Sequence, residues 1–99
     1  MQRVQLDNGG WMDVDRAQVW EEDTYFDGHN HISVVTRSQW AHERLYRSRK
    51  GTWVLKSWSQ YQAGSPSWRV ISEGTAHKWL FDNGYHAEVP ADLLASWEC

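Results

Sequence analysis

The chain has 99 residues, a formal net charge of −3 and only two prolines, which suits a single small domain over residues 1–99 and excludes a disordered segment. One cysteine, Cys99, excludes an internal disulfide, and eight tryptophans are more indole surface than such a core hides, so two or three should be exposed in part. No apolar run reaches membrane length and MQRVQLDNGG lacks an apolar leader core, so a cytoplasmic protein with no membrane association is expected.

The net charge hides a segregation. Met1 to Asp27 holds seven acidic residues against Arg3 and Arg16, while Arg37 to Lys56 holds six basic residues against Glu43. Either the two segments face one another in the fold, or each presents its own field to a different partner.

Taken in chain order, VQLDNGGW alternates and then breaks at Asn8-Gly9, a turn signal, so Arg3–Leu6 is a predicted strand returning through Trp11–Met12. DVDRAQVWEED follows. Asp15 with Gln18 fits a capping box, and Ala17, Val19 and Trp20 supply an apolar stripe, which predicts a short N-terminal helix. That helix would end in Glu21, Glu22 and Asp23, where its dipole disfavours anions; the trio therefore needs a basic neighbour or a partner. NHISVVT reads as a strand with Ile32 and Val34 on one face.

Leu45 to Gln62 is the most informative stretch. SRKGT suits a three-residue loop, with a type I turn at Arg49-Lys50 and Gly51 in the left-handed region. In that register Arg47 pairs with Trp53, Tyr46 with Val54, and Leu45 with Leu55. Leu45, Trp53 and Leu55 then form a core face, and Arg44, Tyr46, Val54, Lys56 and Trp58 form the other face. Ala63–Pro66 is a predicted loop and SWRVI a further strand. Ser72 caps a helix from Glu73 to about Asn83, stopped by Gly84, and Pro90 opens a last short helix. The expected fold class is α+β: a small antiparallel sheet with an N-terminal short helix and C-terminal helices.

SQWAHE at Ser38–Glu43, LYRSRKGTWVLKSWSQYQ at Leu45–Gln62 and ISEGTAHKWLFDNGY at Ile71–Tyr85 resemble a group of small bacterial, phage and plasmid proteins. These share a Leu-Tyr-Arg-x-x-x-Gly-x-Trp-x-Leu-x-x-Trp-Ser-Gln pattern. The resemblance spans about Asp27 to Tyr85 and implies a compact α+β unit in a mobile-element setting; it brings no activity and no site residues. A Glu/Ala-rich helix start is commoner in that group, where this chain has Gly74, Thr75 and His77.

Catalytic motifs are missing: there is no G-x-S-x-G, no phosphate-binding glycine loop and no H-E-x-x-H. Ser38, His42 and Glu43 are neighbours in sequence only, and Cys99 has no fixed base beside it, so no catalytic residue is assigned. His29 and His31 in DGHNH would share a strand face and could take a metal with Asp27 or His42. A turn in which Gly28 and Asn30 bond local backbone is preferred, and no metal or cofactor is assigned.

The expected function is a small non-enzymatic protein-binding module of mobile-element origin, an inhibitor of a host defence complex of the CRISPR-effector kind. Its expected contacts are Tyr46, Trp58 and Tyr61 together with the acidic Glu21, Glu22 and Asp23, the last three within a modestly charged surface that also holds Asp13, Asp15 and Asp27. Its partner is a host protein or a protein–nucleic acid complex. The alternative is a nucleic-acid-binding accessory protein using Arg44, Arg47, Arg49, Lys50 and Lys56 around the hairpin aromatics.

Overall fold

Asn8 and Gly9 do turn the chain. The computed structural model describes residues 2–38, 40–59 and 65–99, and in it β1 (Arg3–Gln5) pairs antiparallel with β2 (Trp11–Asp13). Gly9 takes φ +87° there, and the Asn8 side chain accepts the Gly10 amide at 2.9 Å. One face of this hairpin points inward through Leu6 and Met12, both buried.

The predicted N-terminal helix does not form, which corrects the expected fold class. Asp13 caps only a three-residue 3-10 turn, Val14–Arg16, by accepting the Asp15 amide at 3.1 Å. The chain then runs extended as β3 (Gln18–Glu21). The physical reason is long-range pairing: β3 lies along β6 (Ala41–Arg47), with Gln18 opposite Arg47 and Glu21 opposite Arg44. Trp20 turns inward and its ring meets Trp53 at 5.5 Å. An isolated helix of that length is marginal in water, whereas the strand gains a ladder and an indole contact. Strand is the dominant element, and helices occur only toward the C-terminus of the described residues.

β4 (Thr24–Phe26) and β5 (His31–Ser33) form a short arm joined by a turn at Asp27–Asn30. The strand predicted through NHISVVT therefore stops at Ser33, and the chain turns through Val34–Thr36. β6 and β7 (Trp53–Ser59) hold the predicted register, including Arg47 with Trp53, Tyr46 with Val54 and Leu45 with Leu55. Gly51 takes φ +92°, and the Ser48 carbonyl accepts its amide at 2.8 Å. β8 (Ser67–Val70) completes a four-stranded antiparallel sheet of order β3-β6-β7-β8. The loop predicted at Ala63–Pro66 lies partly outside the described residues.

Each face of this sheet has its own cover. On one, Leu45, Trp53 and Leu55 pack against Ala76, Trp79 and Leu80 of α1 (Glu73–Asp82) and against Val89. Leu45 and Leu80 are fully buried, each contributing about 1.5–3 kcal/mol of apolar transfer. α1 starts as predicted at Ser72, whose hydroxyl accepts the Thr75 amide at 3.1 Å, and Gly84 follows it at φ +85°. Asn83 ties its end to the arm: its side chain accepts the Asp23 amide at 2.7 Å and donates to the Trp79 carbonyl at 2.8 Å. α2 (Ala91–Ser96) follows Pro90. On the opposite face Tyr46 and Val54 lie with Leu6 and Met12, so the N-terminal hairpin covers part of the sheet. No helix among the described residues is long and apolar enough to cross a membrane.

Candidate functional site

The partly covered face is organised in rows across the strands. Val19, Tyr46, Val54 and Val70 make one row, in register from β3 to β8. Its middle members are buried, and Tyr46 is only 5% exposed. The next row is Glu21, Arg44, Lys56 and Trp68. Beyond it, His42 lies opposite Trp58, their rings 5.6 Å apart. The alternation expected of a strand pair thus brings Arg44, Tyr46, Lys56 and Trp58 to one face.

The second row is a chain of charges threaded through aromatic rings. Arg44 Nε donates to Glu21 at 2.9 Å, and one terminal nitrogen reaches the Tyr46 hydroxyl at 3.5 Å. The Arg44 guanidinium lies 5.0 Å from the Trp58 ring centre. The Lys56 ammonium lies 4.9 Å from Trp58 and 5.1 Å from Trp68, within cation–π range of both. Burial works against the charge on Arg44, but its hydrogen bonds to Tyr46 and Glu21 outweigh it and hold the pKa above the ordinary arginine value. Lys56 goes the other way. Burial first, then the Arg44 charge, lower its pKa, with Glu21 offsetting part of the effect.

The remaining predicted contacts are dispersed. Arg47 is exposed and lies over Trp53, 5.0 Å from the ring centre, on the helix-covered side. Arg49 and Lys50 are exposed at the hairpin tip. Tyr61 lies outside the described residues. Glu21 is taken by Arg44, and Asp23 accepts its neighbour's amide, that of Thr24, at 2.9 Å. Glu22 is half-buried and serves three donors: His42 Nδ1, the Ser33 hydroxyl at 2.6 Å and the Glu43 amide at 2.9 Å. The acidic and basic segments thus face one another at Glu21–Arg44 and Glu22–His42.

The chain matches no family model, no curated protein and no solved structure. Its binding properties follow from its own surface.

That surface carries an aromatic feature outside the predicted contacts. Tyr25 is 45% exposed and Phe26 62% exposed, adjacent on β4, so the arm shows an aromatic ring on each of its faces. Trp40 is 46% exposed. Ser38, two residues before it, lies at the base of the arm, where its carbonyl accepts the Ser33 amide at 3.1 Å. His31 meets Phe26 at 5.3 Å. One Asp27 carboxylate oxygen accepts the amides of His29 at 2.9 Å and Asn30 at 2.8 Å, and these bonds hold its pKa below the ordinary carboxylate value. A local signal for the arm is present in the sequence: Thr24-Tyr25-Phe26 runs directly into Asp27-Gly28, a hairpin-turn dipeptide. His42 sits with Glu22, away from the arm's turn, and no group of three or more metal-ligating side chains occurs among the described residues. Trp11 is also exposed, with the Arg3 guanidinium 4.9 Å from its ring centre.

Proposed function

We propose that this protein is a small non-enzymatic protein-binding module that docks on its partner through the aromatic arm. The observation that carries the reading is the exposure of Tyr25 and Phe26, one ring on each face of a hairpin of three-residue strands. A free β-hairpin of that size is marginal in water, and leaving two aromatic rings in solvent adds nothing to its stability. Rings of this kind are the side chains that anchor protein interfaces, because they bury much area at little conformational cost. Tyr46 is buried beneath Leu6 and Met12, so it is not an accessible anchor. Trp58 remains half-exposed but is flanked by two cations.

The resemblance to phage and plasmid proteins supports a mobile-element setting; within it the proposed partner is a host defence complex and the proposed site of action the cytoplasm. The test is capture from a nuclease-treated extract of the native host. Wild-type protein should retain one discrete protein, and a Tyr25→Ser/Phe26→Ser variant with unchanged circular dichroism should release it. Equal retention by the variant would show that the arm is not the docking element.

A further inference from the structure

We infer that the row Glu21–Arg44–Lys56–Trp68 is a second binding site, for a phosphodiester of single-stranded nucleic acid seated between Arg44 and Lys56. Its charges do not balance. Arg44 and Lys56 are direct cross-strand partners on one face, an arrangement that repels and that sheets ordinarily avoid. Glu21 balances one of the two charges, at the outer end of the row. Among the described residues no carboxylate comes within ion-pair distance of Lys56. The row therefore carries one unmatched positive charge, half-buried, on a group that burial and Arg44 already disfavour as a cation. An anion bound there relieves that cost, so the site gains more from a negative ligand than an exposed lysine does.

The unmatched charge of one selects a singly charged anion, which a phosphodiester is. The aromatic walls narrow the class further. Trp58 lies beside the row, Trp68 ends it, and both are half-exposed. Bases next to a bound phosphate stack on such rings without regard to sequence. In the neighbouring row Tyr46 and Val54 are buried beneath the N-terminal hairpin, and the Tyr46 hydroxyl is turned to Arg44.

The experiment is fluorescence anisotropy of a labelled 12-nucleotide oligo-dT at about 50 mM salt, a condition favourable to phosphate contacts. Wild type should bind, and Lys56→Gln should weaken binding about tenfold and lower the salt slope by about one. An Arg49→Gln/Lys50→Gln variant, altered only at the exposed tip, should keep at least half of the wild-type affinity. An abasic oligonucleotide, with the same phosphates and no bases, should bind about fivefold or more weakly if the indoles stack. Lys56→Gln is compared only if its circular dichroism matches wild type. The wild-type protein supplies an independent readout: oligo-dT should slow acetylation of Lys56 by an amine-reactive ester and leave Lys78 unchanged. Failure of wild type to bind overturns the inference. So does binding that tracks Arg49 and Lys50 instead of Lys56, no protection of Lys56, or an oligo-Glu peptide competing as well as oligo-dT. None of these outcomes bears on the aromatic arm, so the two sites stand or fall separately.

Discussion

Glu22 and His42, twenty residues apart in sequence, meet through a half-buried carboxylate that also takes the Ser33 hydroxyl at 2.6 Å and the Glu43 amide at 2.9 Å. This one side chain joins β5, β6 and the end of β3. Glu22→Ala leaves three donors without their acceptor, each in a poorly hydrated place. A loss on the order of 3 kcal/mol is expected in urea unfolding. Glu22→Gln keeps one oxygen and should lose less. A neutral Glu22→Ala result would mean that the arm is not tied to the sheet through this carboxylate.

Two glycines make a paired prediction about backbone. Gly51 sits at φ +92°, and a Cβ added there would meet only the far end of the Arg47 side chain. Any penalty at this position is therefore conformational and not steric crowding. Gly51→Val is expected to cost about 1–3 kcal/mol. Gly74 lies in the first turn of α1 with open space around it, and Gly74→Ala should gain about 0.4–1 kcal/mol. Thermal melts of both variants check the pair; the same sign of change in both contradicts it.

Lys56 makes stability depend on pH in an unusual direction. Its pKa is lowered in the folded protein, burial first and Arg44 second, so the native state gives up that proton before the unfolded chain does. Between the lowered value and the ordinary lysine value of about 10.4 the unfolded state binds more protons, and stability from this group rises with pH. The melting temperature of wild type minus that of Lys56→Gln should therefore increase from pH 7 to pH 9.5. A constant difference would show that Lys56 is no more burdened than an exposed lysine.

The long hairpin was legible because its information is local. Gly51 sets the turn, strict alternation sets the faces, and register follows from both. Ser72, Gly84 and Pro90 mark the C-terminal helices for the same reason. The N-terminal helix failed because Ala17, Val19 and Trp20 satisfy a helical stripe and a short strand equally well. The deciding clue was Glu21-Glu22-Asp23, poorly placed for a helix end. Its explanation lies in Arg44 and His42, twenty or more residues away, where local periodicity cannot reach. The candidate site divides in the same way. Arg44, Tyr46, Lys56 and Trp58 share a face as alternation requires, but the burial of Tyr46 depends on a separate hairpin folding over it. Tyr25 and Phe26 were readable beside Asp27-Gly28, yet their exposure follows from how little else packs on β4, whose partner strand buries Ile32 and Ser33.

The central claim is that the arm, and not the basic hairpin, carries the protein contact. A photo-crosslinking phenylalanine analogue placed at Phe26, and separately at exposed Lys50 at the tip of the basic hairpin, tests it in the native host after nuclease treatment. One discrete crosslinked protein is expected from position 26, none from position 50, and loss of that band when Tyr25→Ser is added. Crosslinking from position 50 alone, or a band at position 26 that nuclease removes, would contradict it.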